Sequence, residues 1–357
     1  MCTHPGNCPG PFGPGLHFSV QILVMRLLVL IINRFLWFFP TILGLMVITF
    51  TISHVIPADP VAFVAGDNAT TEQIEALRAQ LGLDQPMHIQ LFHYIINLAR
   101  GDFGVSLYTL RPISEDLAGR LPATMELTII SVLVSILIGV PLGVISAIRR
   151  NSFLDHVVRV FTVSGLAIAS FWFAILLQLF FAMELDWTPL QGRTSGWGPE
   201  HVTGFYLVDS LLSWDLSEFR AASLHLILPV TTLAFPAMAT IVRFTRAGVL
   251  NAMNSNYVLY EEAMGFPKRV IIWKYILRNA LIGTVTQIGL IFGILIAGAV
   301  VVEAVFDWPG LGYYAVQSII QSDYNAIMGF TFVTGVLFII VNLLVDIAQV
   351  FIDPRET

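Results

Sequence analysis

Long uninterrupted apolar runs constrain the fold of this chain more than any other feature of its sequence. A helix that crosses a hydrocarbon core of about 30 Å needs roughly 20 apolar residues. Six runs approach that length, namely Phe35 to Ile56, Thr124 to Ala147, Val157 to Met183, Leu224 to Phe244, Leu281 to Val305 and Met328 to Ile352. They are continuously apolar and far longer than the alternating strands of a membrane barrel. The sequence therefore predicts an all-α polytopic membrane protein with six transmembrane helices.

The composition excludes several other classes of protein. Of the 357 residues 56% are hydrophobic and only 12% are charged, which is too little charge to cover a soluble domain of this size. The histidines are scattered without metal-ligand spacing, so intramembrane catalysis is not predicted. The chain lacks the GxxxxGK[ST] motif of ATP-binding loops. We expect no enzymatic activity of its own, no bound cofactor and no nucleic-acid partner.

The basic residues divide unevenly between the two sets of loops that six crossings create. Both termini then lie on one side, together with most of the 18 Lys and Arg residues. The residues on that side are Arg26, Arg34, Arg149, Arg150, Arg159, Arg243, Arg246, Lys268, Arg269, Lys274, Arg278 and Arg355. Because basic loops stay in the cytoplasm, the sequence predicts that both termini are cytoplasmic.

The crossings divide the chain into segments. Residues 1–24 are Gly- and Pro-rich and are predicted to be a disordered extension, although Cys2, His4 and Cys8 could hold a metal and Met25 could be the true start. Residues 25–56 hold the cytoplasmic N-terminus and the first crossing, and 57–123 form an outer subdomain. The membrane domain covers 124–352, with an outer loop at 184–222 and an inner loop at 245–280, before a tail at 353–357. Aromatics in the outer loop are interpreted as interfacial anchors or as a docking surface.

The inner loop contains an unusually charged segment, "NYVLYEEAMGFPKRVIIWKYILRNAL", from Asn256 to Leu281. Two helical turns over Tyr257 to Met264 are predicted to end at Gly265, which suits the left-handed conformation, and Pro267 suits the first turn of a second helix. Lys274 and Arg278 then stand at i and i+4 beside apolar residues, as in a helix at a membrane surface.

Two interpretations of the charged segment remain open. It is either a plain interfacial helix with snorkelling basic side chains or a short helix offered to a cytosolic partner. In the second case Tyr257, Val258 and Tyr260 would be the anchors, and Glu261 and Glu262 would give charge complementarity.

The fifth crossing contains Gly289, Gly293 and Gly298, the first two spaced as GxxxG. Such small residues allow close helix packing, or they could line a smooth translocation path. Glu303 and Asp307 follow at its outer end, where we expect them to reach interfacial water. Their role is either structural or that of a gate.

Several motifs in order along the chain carry a resemblance to a known family. They are "PTILG", "IPADPV", "LGLDQP", "GDFGVS", "RLPATMELT", "GVPLGVISA", "RFTRAGVL", "NYVLYEEAMG", "ILRNALI", "VVEAVFDWPGLG" and "NLLVDIAQVFIDPR". From about Arg34 to Arg355 the chain resembles the dipeptide and oligopeptide permeases of bacterial ABC importers. The segment around Gly265 resembles their cytoplasmic coupling loop, the EAA motif. Ala263 and Gly265 match that motif, whereas Glu261 and Glu262 stand where the family usually has Ala and Arg.

The resemblance implies a multi-pass permease in the bacterial inner (plasma) membrane, surrounded by lipid. Its expected partners are a second homologous permease subunit, two cytosolic ATP-binding subunits that use ATP and Mg²⁺, and a periplasmic solute-binding protein. The expected solutes are di- or oligopeptides, with nickel chelates, opines or glutathione as alternatives. A secondary transporter working alone would be expected to show midplane charges or paired broken helices.

Overall fold

The computed structural model describes residues 25, 32, 36–52, 70–80, 84–196, 198–199 and 202–352. Within these ranges the chain is helical, apart from its connecting turns and one isolated bridge between Val105 and Pro112. In chain order the helices are α1 (Leu36–Ile52), α2 (Thr71–Gln80), α3 (Met87–Ala99), α4 (Ile113–Ile148), α5 (Phe153–Ala167), α6 (Ser170–Glu184), α7 (Tyr206–Leu212), α8 (Leu216–Met253), α9 (Asn256–Ala263), α10 (Lys268–Val305), α11 (Leu311–Ile320) and α12 (Tyr324–Ile352).

Some of the predictions concern residues outside these ranges. They are the extension over 1–24 with Cys2, His4 and Cys8, most of the link between α1 and α2, and the tail over 353–357. These stay predictions.

Four helices in the described part of the chain are long and apolar enough to cross a membrane: α4, α8, α10 and the Tyr324–Ala348 part of α12. α5 and α6 pass the same test only as a pair, which gives up to five spans, and α1 is shorter over Leu36–Ile52. The polytopic all-α architecture is confirmed at this level. The count of six crossings stays a prediction.

The predicted third crossing, Val157 to Met183, is not one straight helix. α5 ends at Ala167 and α6 begins at Ser170, and the two helices meet at 107°. Ile168 and Ala169 between them have extended backbone, with ψ of 128° and 130°, which interrupts the helical hydrogen bonds. Counting apolar residues measures the length of a run but not its direction, so the pattern could not reveal this corner.

α8 lies at the centre of the bundle. In its most apolar window 67% of the residues are buried, against 17% for α12, and it packs against α4, α5 and α10. Asp215 caps its first turn by accepting backbone hydrogen bonds. Small residues bring its neighbours close: a Cβ on Gly143 of α4 would lie 2.7 Å from Thr245, and one on Gly165 of α5 would lie 2.9 Å from Ala239.

The bundle has two ends, named here by the short helix that each carries. The α9 end holds α9, the C-termini of α4 and α8, and the N-termini of α5 and α10. The α11 end holds α7, α11, the N-terminal part of α4 and the C-terminus of α10. On α4, Glu126 belongs to the α11 end and Ser146 to the α9 end, about 30 Å apart at about 1.5 Å per residue.

Candidate functional site

α9 is followed by a sharp corner that the sequence predicted. The Gly265 N–H donates to the Glu262 carbonyl at 3.0 Å, and the Phe266 N–H donates to the Glu261 carbonyl at 3.3 Å, as in a Schellman C-cap. Gly265 has a φ of +79°, a conformation that favours glycine because other residues have a Cβ. Pro267, with φ −65°, stands just before α10 instead of in its first turn. The left-handed corner at Gly265 is confirmed.

One face of α9 is buried against the chain's own helices. Val258 is only 6% exposed and packs in a cluster with Val144 of α4, Val249 of α8 and Ile271 of α10. Tyr257 packs against the same cluster. The prediction that Val258 is offered to a partner is therefore wrong for this structure, because its apolar side chain attaches α9 to the bundle instead.

The opposite face of α9 is exposed and apolar. Leu259, Tyr260 and Met264 have 64%, 65% and 61% of their surface exposed. Glu262 and Ala263 are exposed as well. Glu261 and Tyr257 are half-buried, and Tyr257 packs toward the bundle. Sequence reasoning selected Tyr260 but missed Leu259 and Met264. The i, i+4 relation of Met264 to Tyr260 is the signal that could have found it.

A groove of about 420 Å³ runs beside α9, between α8 and α10. It is lined by Phe244, Ala247, Gly248, Asn251, Ala252, Tyr257, Asn279, Ala280 and Gly283. The Tyr257 hydroxyl is buried and has no hydrogen-bond partner among the described residues. The side-chain amides of Asn251 and Asn279 give the groove neutral hydrogen-bonding groups.

The glycines of α10 differ in what they contact. A Cβ on Gly289 would lie 2.1 Å from Val345 Cγ1, and one on Gly293 would lie 2.7 Å from Phe338 Cε2, both on α12. A Cβ on Gly298 would meet nothing within 4 Å. Of the two roles considered, packing explains Gly289 and Gly293, and only Gly298 offers an open smooth surface. A place for the three glycines along a translocation path stays a prediction.

Glu303 is fully buried at the α11 end, where its carboxylate caps α11. It accepts hydrogen bonds from the Thr124 hydroxyl at 2.7 Å and from the N–H groups of Gly312 at 2.7 Å and Tyr313 at 3.1 Å. The expectation of interfacial water around it is wrong, because α4 and α11 cover it. Asp307, by contrast, is exposed and has a φ of +47°. The two carboxylates therefore lie in different surroundings.

Arg193 and Glu126 form a second buried site at the α11 end. The Arg193 guanidinium donates to Glu126 Oε2 through Nη2 and, at 3.2 Å, through Nε, and both side chains are almost fully buried. Arg193 also stacks 3.7 Å from the centre of the Tyr206 ring. Glu126 accepts the Leu207 N–H at 2.8 Å. This ion pair attaches the predicted outer loop to α4, and sequence reasoning missed it.

The carboxylate of Asp209 is hydrogen-bonded to residues of the same outer loop. It accepts the Thr203 hydroxyl at 2.6 Å and the N–H groups of Thr203 and Gly204 at 2.8 and 2.9 Å. Burial by itself acts to raise the pKa of Asp209, but these hydrogen bonds outweigh it and hold the pKa below its ordinary value. The loop is thus built around an ionised carboxylate.

The α9 end has a buried carboxylate of its own, that of Asp155 on α5. Its Oδ1 accepts hydrogen bonds from the Ser146 hydroxyl at 2.6 Å and from Arg246 Nε at 2.9 Å. Its Oδ2 accepts from Arg159 at 2.7 Å, from the Asn151 N–H at 3.0 Å and from Arg246 Nη2 at 3.1 Å. Sequence reasoning missed Asp155 as well, although the i, i+4 spacing of Asp155 and Arg159 was a visible signal.

Comparisons with known proteins agree with this architecture. Residues 139–357 match the family described as binding-protein-dependent transport system inner membrane component, and residues 25–128 match its N-terminal component. The chain is 43% identical over 314 residues to a probable D,D-dipeptide transport system permease protein of Escherichia coli K12, covering 87% of this chain and 92% of the relative.

Two further relatives cover as much of the chain. A dipeptide transport system permease protein of Alkalihalophilus pseudofirmus is 37% identical over 90% of this chain and 97% of its own length. A glutathione transport system permease protein of Salmonella choleraesuis is 35% identical over 91% of this chain and 97% of its own length.

Proposed function

Because the chain belongs to the family of binding-protein-dependent transport system inner membrane components, we propose that it is the permease subunit of an ATP-driven importer of di- or oligopeptides. The observation that carries this proposal is the similarity to dipeptide permeases over nearly the whole chain, at 34% to 43% identity. Glutathione is itself a tripeptide, so the similar glutathione permease leaves a small peptide as the common solute class. It also keeps glutathione as the alternative solute.

In this proposal α9 is the coupling helix. Its exposed apolar face, Leu259, Tyr260 and Met264, would occupy a groove on a cytosolic ATP-binding subunit. Val258 on its buried face would transmit movements of the ATP-binding subunits to the bundle. Two ATP-binding subunits would supply ATP hydrolysis with Mg²⁺, a second homologous permease would complete the path, and a periplasmic solute-binding protein would deliver the peptide.

The orientation is part of the proposal. Exposed basic side chains gather at the α9 end, at Arg149 and Arg150 after α4 and at Lys268 and Arg269 at the start of α10. By the positive-inside rule this end faces the cytoplasm, and the α11 end with its buried carboxylates faces the periplasm.

Gly265 provides the test. We expect Gly265→Val to strain the left-handed corner by about 1 to 3 kcal/mol. The strain should shift α9 out of the groove of the ATP-binding subunit. The variant is purified with the two ATP-binding subunits and the second permease, and peptide import and ATP hydrolysis are measured in proteoliposomes. We predict that hydrolysis is no longer stimulated by the peptide-loaded binding protein, or that the ATP-binding subunits are lost.

Gly101 offers a matched control, because it has a φ of +81° and, as at Gly265, a Cβ added there would meet nothing within 4 Å. Gly101→Val imposes the same kind of strain after α3, far along the chain from α9. We expect it to keep coupled import. Equal loss in both variants, or none in Gly265→Val, would contradict the role of α9.

A further inference from the structure

α9 is attached directly to three of its neighbouring helices. The cluster that buries Val258 contains Val144 and Ala147 of α4, Val249 of α8 and Ile271 of α10, with other residues of the same helices. No α5 residue belongs to this cluster among those the structure describes. Displacement of α9 would therefore act on α4, α8 and α10 by packing, whereas it would reach α5 through the contacts that α5 makes with those helices.

The Asp155 carboxylate makes such contacts. It lies on the first turn of α5, is fully buried, and accepts two hydrogen bonds from Arg246 of α8 and one from Ser146 of α4. Arg246 lies two turns before the end of α8, and α9 follows after Asn254 and Ser255. Residues from three helices thus meet at one side chain, at the same end of the bundle as α9.

Two other contacts between α5 and α8 lie farther along the helices. The Phe161 and Phe235 rings pack edge to face with centroids 4.9 Å apart, and Gly165 approaches Ala239. These contacts lie toward the corner at Ile168 and Ala169. At the α9 end itself, the hydrogen bonds from Arg246 to the Asp155 carboxylate join α5 to α8.

We propose that Asp155 is a positioning residue for coupling: its carboxylate makes the α9 ends of α4, α5 and α8 move as one unit when α9 is displaced. This inference rests on the proposed function. α5 leads into the 107° corner with α6, and Gln178 of α6 donates to the Val305 carbonyl at 3.1 Å at the far end of α10. A displacement of α5 would therefore reach the α11 end through α6.

The first test is Asp155→Asn, which keeps the size of the side chain but removes the charge that two arginines face. The number of peptides imported per ATP hydrolysed is measured in proteoliposomes. We expect this ratio to fall by about tenfold, within the usual range of coupling between distant sites, while the complex still assembles and hydrolyses ATP. A ratio within about twofold of the parent in an assembled complex, less than such couplings usually give, would overturn the proposal.

Glu126→Gln is the matched control, because it removes the charge of a buried carboxylate bonded to arginine at the α11 end. A merely structural role of Asp155 predicts that both variants lose complex yield and leave the ratio unchanged. The positioning role predicts a lower ratio for Asp155→Asn alone. If Asp155→Asn does not assemble, Arg246→Lys takes its place, since lysine keeps the charge but cannot donate to both carboxylate oxygens in the same bidentate geometry. An unchanged ratio in that variant overturns the proposal as well.

A distance measurement separates this inference from the proposed function. Spin labels are attached at Phe153 on α5 and Met253 on α8, after Cys2 and Cys8 are replaced by serine. In the parent complex the label distance should stay the same with and without trapped ATP, and in Asp155→Asn it should change. A constant distance in Asp155→Asn overturns the role of Asp155. A parent complex that hydrolyses ATP without importing any peptide overturns the proposed function.

Discussion

The two ends of the bundle both bury a carboxylate against arginine, but they expose the arginines to different degrees. At the α9 end, Arg159 and Arg246 leave 46% and 22% of their side chains exposed around a buried Asp155. At the α11 end, Arg193 and Glu126 leave only 6% and 3% exposed. The first ion cluster has solvent at its edge, and the second is closed off from it.

This difference sets how each cluster can behave. An ion pair without water cannot lose one partner cheaply, since the remaining charge stays desolvated. A pair at the surface is screened by salt and contributes little by itself. The α11 end is therefore suited to be a fixed scaffold. At the α9 end the arginines keep contact with solvent while they hold Asp155, so the joined helix ends can move as one unit without desolvating a charge.

The largest effect is expected from breaking the closed pair. Arg193→Met leaves Glu126 buried without its arginine and should lower the free energy of unfolding by about 3 to 5 kcal/mol. The measurement is thermal unfolding of the purified chain in mild detergent. The double variant Glu126→Gln with Arg193→Met removes both charges and should recover most of the loss. A loss in the free energy of unfolding below about 1 kcal/mol, as is usual for an exposed ion pair, would show that water reaches Arg193 and Glu126.

A smaller effect is expected at Glu303. Among the described residues, its carboxylate accepts hydrogen bonds from Thr124, Gly312 and Tyr313 and from no arginine. Glu303→Ala leaves the Thr124 hydroxyl and the Gly312 and Tyr313 N–H groups without their acceptor, and should destabilise the chain by about 2 kcal/mol because water can enter the space. Hydrogen exchange at the Gly312 and Tyr313 amides should rise. Glu303→Gln keeps one acceptor oxygen, so its amide exchange rates should lie between those of the parent and of Glu303→Ala. Equal exchange in these three proteins would show that Glu303 does not cap α11.

The smallest effect is expected at the exposed edge of the α9 end. Arg159→Gln should change the free energy of unfolding by less than about 1 kcal/mol, and this difference should shrink further as salt is added. Thermal unfolding of Arg159→Gln and of Arg193→Met is measured at low and at high ionic strength. The Arg193→Met loss should be independent of salt. A salt-independent loss at Arg159 would mean that the two ends do not differ as described.

Local features of the sequence were predicted well. The apolar runs indicated α4, α8, α10 and α12, because the hydrophobic requirement of a span is a property of each segment alone. The corner at Gly265 followed from the residue that can adopt a positive φ, and the order of short motifs indicated the family. The same reasoning missed the corner at Ile168 and Ala169, where no glycine or proline marks the break.

The sequence by itself determined which segments are apolar, which residue ends α9 and which family the chain resembles. Only the tertiary structure decided that Val258 is buried, that Glu303 is dry and that Asp155 and Glu126 hold arginines. Asp155 and Arg246 lie 91 residues apart, and Thr124 and Glu303 lie 179 apart. A carboxylate's partner and its exposure to water depend on helices brought together by packing, and no local pattern of residues records that.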